Sequence, residues 1–203
     1  MQTDPLTAKG RQTRDAIERA ARKLFAERGF HGTTLADITS AAGKSPAVFY
    51  RYYDDKEDLL ARLAESFLHD VVKPSGLTVH LPESPDDATF FSSVVTGYWN
   101  MFKQNIGIMI AVNQLADAKP RFADVQNDFR RFGMDIVIAS VRRAQDQGFA
   151  TELHPVHTGA AIALLFENFT AVYLRPSGLN LQISDEDAIA TLSTIWKKTL
   201  YGF

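Results

Sequence analysis

The stretch Thr33-Thr-Leu-Ala-Asp-Ile-Thr-Ser-Ala-Ala-Gly-Lys-Ser-Pro-Ala-Val-Phe-Tyr-Arg-Tyr-Tyr-Asp-Asp-Lys-Glu-Asp-Leu-Leu60 sets out two short helices, a tight turn between them and the entry to a third. Thr34 can cap a helix whose third position is Asp37 and whose buried side is Leu35, Ile38 and Ala42. Gly43 ends it, since glycine enters the left-handed backbone region at little steric cost. Ser45 is placed to cap the next helix, with Pro46 in its first turn, where a missing amide proton costs nothing. Phe49 and Tyr53 are four apart and share one face, which can anchor that helix to a core. Tyr50, Arg51 and Tyr52 then point elsewhere. Asp55 caps the third helix, with Asp58 at its third position. This is the layout of a helix-turn-helix, whose second helix enters the major groove of DNA.

Working outward, Ile17, Ala20, Ala21, Leu24 and Phe25 recur at helical spacing and predict a helix over about residues 11–28, closed by Gly29, with Arg14, Arg22 and Arg28 on its other face. The third motif helix continues through Leu59, Leu63, Phe67 and Val71 and stops before Pro74. Residues 74–87, rich in proline, glycine and serine, read as a linker. Helical runs follow at about 87–105, 107–116, 120–147, 155–174 and 185–200, the fourth ended by Arg175-Pro-Ser-Gly178. Strand signals are nearly absent; residues 76–81 alternate briefly and read as a loop. The expected fold class is all-α, a small basic N-terminal bundle followed by a larger C-terminal one.

Charge separates the two parts. Residues 1–53 hold nine Lys and Arg against five Asp and Glu, a balance of +4, so the net charge of −2 leaves −6 for residues 54–203. Such asymmetry marks a polyanion-binding part joined to one with other business. With no cysteine there is no disulfide framework, thiolate metal site or cysteine nucleophile. The polar N-terminus lacks an apolar signal core, and a cytoplasmic location is expected. The most apolar run, 159–174, is too short to span a bilayer and contains Glu167 and Asn168, so no membrane partner is expected. His31, His69, His80, His154 and His157 form no metal-ligand pattern, and no phosphate-cradling loop or nucleophile elbow appears. The chain is therefore expected to have no catalytic residue, no metal and no cofactor, and not to be an enzyme.

The segment Phe30-His-Gly-Thr-Thr-Leu-Ala-Asp-Ile-Thr-Ser-Ala-Ala-Gly43, with Ser45, Phe49-Tyr-Arg51, Tyr53 and Lys56-Glu-Asp-Leu-Leu60, resembles the N-terminal domain of TetR-family transcriptional regulators. The resemblance implies a helix-turn-helix DNA-binding domain at 1–54 and a ligand-binding and dimerisation domain at 55–203. It also implies a homodimeric repressor on a palindromic double-stranded operator, released by a small molecule, and the apolar composition of the C-terminal part favours a hydrophobic or aromatic ligand. Thr34, Tyr50 and Lys56 match positions that touch phosphates in the family, and residues around Ser45, Pro46, Ala47, Arg51 and Tyr52 match those facing the major groove. Three positions depart from the pattern: Lys44 stands where an aliphatic residue is usual, Ala36 where a polar or basic one is common, and Ala47-Val48 replace a glycine-threonine pair.

Phosphate contacts supply affinity, whereas base edges supply sequence choice. Pro46, Ala47 and Val48 offer only apolar contacts, such as thymine methyls. Arg51 could bind guanine in a bidentate way or hold a phosphate, and the sequence leaves both readings open. Lys44 could pack its stem while its ammonium reaches a phosphate. In the C-terminal part, Phe67, Trp99, Phe102, Met109, Asn113, Phe129, Phe132 and Phe166 form a candidate ligand pocket, with Asn105 and Gln114 as further polar anchors; aromatic stripes at this spacing are usually core, which is the competing reading. Ala161, Leu165, Asn168, Val172, Leu192 and Trp196 are the candidate dimer interface on the last two helices, where burial within the protomer is the competing explanation. A DNA-binding regulator without a small-molecule inducer, or an all-helical enzyme or carrier of apolar molecules, are the alternative functions.

Overall fold

The computed structural model describes residues 7–72, 81–82, 84–175 and 183–202. Most of the predicted linker (74–80 and 83) and residues 176–178 of the helix-ending segment lie outside the described residues. The described chain is all helical: α1 (Ala8–Arg28), α2 (Leu35–Ala41), α3 (Pro46–Phe49), α4 (Lys56–Val72), α5 (Ala88–Gln104), α6 (Ile106–Ala116), α7 (Pro120–Asp146), α8 (Pro155–Tyr173) and α9 (Asp185–Tyr201).

Local chemistry accounts for the ends of these helices. The Thr7 hydroxyl accepts from the Gly10 amide at 3.2 Å to open α1, and Gly29, at φ +72°, closes it with its N–H on the Phe25 carbonyl at 3.1 Å. The Asp55 carboxylate accepts from the Asp58 amide at 2.7 Å and caps α4 as expected. Ser184 does the same for α9 from Asp187, at 3.0 Å. The His154 Nδ1 accepts from the His157 amide at 3.4 Å at the start of α8, with the two rings stacked 4.0 Å apart.

The chain packs as two units. The first takes the residues up to Phe67 together with Asn105–Val125. It therefore extends beyond residue 54, because Leu59, Leu60 and Leu63 of α4 and Ile108 and Val112 of α6 are buried alongside Ile17, Phe25, Ile38 and Phe49. Close backbone contact holds α6 to α1: a methyl group on Gly107 would lie 2.5 Å from the Ala26 nitrogen and 2.6 Å from the Phe25 carbonyl carbon. Arg22 adds a hydrogen bond to the Asn105 side chain at 2.8 Å. Asn105 thus belongs to the packing of the first unit and precedes α6, and Gln114 is exposed.

The second unit comprises Leu68–Gln104 and the chain from Gln126 onward. Its core centres on Trp196, whose ring meets Phe90 at 5.4 Å, Phe91 at 5.2 Å and Phe166 at 6.1 Å. The indole N–H donates to the Ser140 hydroxyl at 3.1 Å, which donates to the Val137 carbonyl at 2.7 Å. Leu192 and Trp196, both 1% exposed, are core residues of the protomer, not dimer-interface residues. Their helical spacing marks an apolar face correctly, but α5 and α7 already cover it.

Candidate nucleic-acid interface

The helix-turn-helix is built from short-range bonds that leave one surface free. Thr34 and Asp37 form a complete capping box: the Thr34 hydroxyl accepts from the Asp37 amide at 3.1 Å and donates to the Asp37 carboxylate at 2.6 Å, while the Thr34 amide donates to the same carboxylate at 2.8 Å. These bonds, with Arg28 at 3.6 Å, hold the Asp37 carboxyl below its ordinary range. The hydroxyl of Thr34 is accordingly committed to Asp37, and a phosphate contact there would require it to turn its proton away from that carboxylate.

The turn after α2 is a Schellman motif. The Gly43 amide donates to the Ser40 carbonyl at 3.0 Å and the Lys44 amide to the Thr39 carbonyl at 2.9 Å, with Gly43 at φ +63°. Thr39 is buried where α2 and α3 meet, as its small size implies. Ser45 occupies the cap position of α3 with extended backbone but makes no side-chain capping bond, which corrects its reading as a side-chain cap. Its hydroxyl is exposed beside Pro46 and Ala47, which are exposed as well.

Beneath that surface, Phe49 and Tyr53 are buried with ring centroids 5.4 Å apart. The Tyr53 hydroxyl donates to the Glu18 carboxylate at 2.8 Å, and burial with that bond pushes the phenol's pKa up. This fixes α3 to α1 and turns the intervening residues outward. Tyr50 is 59% exposed, Arg51 is exposed, and Tyr52 and Lys44 are half-buried. Ser45, Pro46, Ala47, Tyr50 and Arg51 therefore share the solvent-facing side of the motif.

Lys56 is tied into the protein itself. Its ammonium donates to the Phe30 carbonyl at 2.7 Å and the Thr33 carbonyl at 2.6 Å, and sits 4.2 Å from the centre of the Phe30 ring. Burial lowers its pKa. It staples the α1–α2 connection, which Thr33 also secures by donating to the Gly29 carbonyl at 2.8 Å. The neighbouring acids face cations of their own unit: Glu57 pairs with Lys119, and Asp58 bonds Arg62 at 3.0 Å and Arg121 at 3.0 Å. Their charge is balanced locally.

The other predicted sites are distributed as follows. Phe67, Met109 and Asn113 belong to the first unit, whereas Trp99, Phe102, Phe129, Phe132 and Phe166 belong to the second. Trp99, Phe102 and Phe166 are buried, and Phe129 and Phe132 are half-buried on α7. Ala161, Leu164, Leu165 and Asn168 form an exposed stripe on α8 with half-buried Val172, and Ile195 is the exposed large apolar residue of α9. Among the described residues no group of His, Asp and Glu is placed to hold a metal, and no helix is long and apolar enough to cross a membrane.

A capped, glycine-turned helix pair presenting a polar and aromatic tip defines a helix-turn-helix DNA-binding regulator. Residues 17–63 match the family model of bacterial regulatory proteins of the tetR family. The chain is 26% identical over 192 residues to the HTH-type transcriptional regulator EthR of Mycobacterium tuberculosis, covering 92% of this chain and 86% of that one. It is 29% identical over 144 residues to the HTH-type transcriptional repressor KstR2 of Rhodococcus jostii, covering 66% of each. The structure of the fatty acid degradation regulator FadR from Bacillus halodurans superposes with a TM-score of 0.69 at 16% identity, covering 97% of this chain and 96% of that one. Residues 17–63 thus carry a tetR-type helix-turn-helix, and along most of its length the chain is similar to transcriptional regulators.

Proposed function

We propose that this regulator works in the cytoplasm as a homodimeric repressor that holds a roughly palindromic operator and releases it when a small hydrophobic ligand enters the C-terminal part. The observation that carries the DNA-reading half is the exposed tip of α3, where Tyr50 and Arg51 stand clear of the buried Phe49–Tyr53 anchor. Residues 1–54 supply the reading head. Tyr50 and the Ser45 hydroxyl donate to phosphates, Lys44 adds charge, Pro46 and Ala47 pack against base edges, and Arg51 reads a base. A relative at 29% identity carries the name repressor, which favours repression over activation.

Arg51→Ala tests the readout. The expected result is an operator affinity lower by about 1–3 kcal/mol with little change on random DNA, measured by titration of both at one salt concentration. Equal loss on the two DNAs would return Arg51 to a phosphate role.

The dimer is assigned to the exposed α8 stripe, with Ile195 of α9 beside it in place of Leu192 and Trp196. Four large apolar residues of α8 and α9, Val156, Leu164, Leu165 and Ile195, stay 39–46% exposed in the protomer, and a second copy of the same surface covers them about a two-fold axis. Such a dimer spaces its reading helices by roughly 34–36 Å, one DNA turn, or a multiple of it. Leu165→Asp is expected to give monomers in sedimentation equilibrium and to abolish operator binding at concentrations that saturate the wild type. A Leu165→Asp protein that remains dimeric places the interface elsewhere.

A further inference from the structure

The second unit leaves three buried polar atoms without a hydrogen-bond partner among the described residues: the Tyr98 hydroxyl, Trp99 Nε1 and the Thr170 hydroxyl. They gather on one seam. Tyr98 and Trp99 are consecutive on α5, and the Thr170 hydroxyl of α8 lies next to that of Tyr98 without completing a bond of good geometry. Aromatic rings surround them. Tyr98 lies 5.8 Å from Phe102 and 5.9 Å from Phe166, and Trp99 lies 6.4 Å from Phe169 and 5.5 Å from Tyr173.

The rest of the molecule treats such atoms differently. Among the described residues the other buried Ser and Thr hydroxyls, on Thr13, Thr33, Thr39, Ser140 and Ser193, all donate to backbone carbonyls. The indole of Trp196 is equally buried and has Ser140 for its partner. Thr170 forgoes the carbonyl one turn back that Thr13 and Ser193 use, so its hydroxyl points into the seam. A buried donor without an acceptor is costly, and this seam holds three such groups.

Their chemistry selects the occupant. An indole N–H donates and cannot accept. Burial pushes the Tyr98 phenol's pKa up, so it keeps its proton and can donate, as can the Thr170 hydroxyl, although each hydroxyl can also accept. The nearest carboxylate, Glu167, is neutralised by two hydrogen bonds from Arg130 at 2.8 and 3.0 Å. The indole and the two hydroxyls are uncharged and Glu167 already has Arg130, so the polar groups of the seam favour a neutral partner. The aromatic walls favour flat, apolar surface.

We propose that the α5–α8 seam recognises a neutral, largely aromatic or polycyclic molecule bearing a carbonyl oxygen, which accepts from Trp99 Nε1 and from the Tyr98–Thr170 hydroxyl pair. This deepens, and rests on, the reading of a ligand-released repressor. The three atoms gain their missing acceptor only when the carbonyl enters, so the oxygen, not the hydrocarbon surface, sets selectivity.

The test uses the full-length protein and a matched pair of probes, benzophenone and diphenylmethane, which differ only in the carbonyl oxygen. Calorimetric titration is expected to show benzophenone bound at least about tenfold more tightly, and Tyr98→Phe or Thr170→Val is expected to erase most of that ratio while leaving the hydrocarbon's affinity unchanged. Photo-excited benzophenone is expected to cross-link to peptides of α5 or α8. Without probe, both variants keep or raise the wild-type Tm, because each removes a buried polar group that had no partner. Equal binding of the two probes, no binding of benzophenone up to its solubility limit, cross-links away from α5 and α8, or a lower Tm in both variants each overturns the proposal. Operator release is measured separately. Benzophenone that binds at the seam yet leaves the operator occupied keeps the site and removes the ligand-released reading. Release by ketone and hydrocarbon alike keeps that reading and removes the carbonyl requirement.

Discussion

Gly107→Ala is expected to destabilise the first unit by about 3 kcal/mol, the upper part of the range for overpacking substitutions, and to lower Tm by roughly 10 °C. The cause is steric and lies in the backbone. The added methyl would stand 2.5 Å from the Ala26 nitrogen, 2.6 Å from the Phe25 carbonyl carbon and 2.8 Å from the Ala26 Cα. Side chains evade such contacts by changing rotamer, but these atoms can move only if α1 and α6 separate. Separation would disturb Phe25, whose ring packs 5.4 Å from Phe30 at the connection leading into α2. Operator affinity is therefore expected to fall with stability. Gly97 supplies the control: it lies in α5, and a methyl there would meet nothing within 4 Å. Gly97→Ala is expected to raise stability by roughly 0.5–1 kcal/mol through helix propensity alone. Thermal unfolding followed by circular dichroism reads both, and an unchanged Tm for Gly107→Ala would mean that α1 and α6 are not in backbone contact.

The contrast between these glycines marks where sequence reading stops. Helix positions were legible because their signals are local: the Thr34–Asp37 box, the Gly43 turn and the Asp55 cap each involve residues within a few positions of one another. The fold class and the DNA-reading motif followed from them. Apolar periodicity, by contrast, says that a face is covered without saying by what. Leu192 and Trp196 read equally well as interface or core, and only their packing against α5 and α7 settles them as core. Hydrogen-bond saturation is no more visible in sequence. Trp99 and Trp196 are both fully buried indoles, yet one has Ser140 for a partner and the other has none. Thr170 and Tyr98 lay outside the predicted pocket for the same reason. Gly107 was one more glycine until the position of Ala26 was known.

Lys56 has two accounts, a phosphate contact and an internal staple, and Lys56→Met separates them. As a phosphate contact, Lys56 would neutralise one DNA charge, and its loss would reduce the slope of log K against log salt by about 0.9. The folded protein would be unaffected. The structure supports a different outcome. The ammonium donates to the carbonyls of Phe30 and Thr33 at 2.7 and 2.6 Å, so a methionine leaves both oxygens short of a donor and removes the cation from the Phe30 ring. Hydrogen bonds from a charged donor contribute about 1.5–3 kcal/mol, and a loss near 2 kcal/mol would lower Tm by roughly 4–8 °C. The connection those carbonyls belong to leads directly into Thr34, the cap of α2, and α2 in turn carries the Schellman turn that orients α3. On this account Lys56 is a positioning residue, expected to act on DNA through the placement of Tyr50 and Arg51. Operator affinity is expected to fall by about tenfold with the salt slope unchanged, because the number of phosphates neutralised stays the same. A slope smaller by about one, with Tm intact, would restore the phosphate contact.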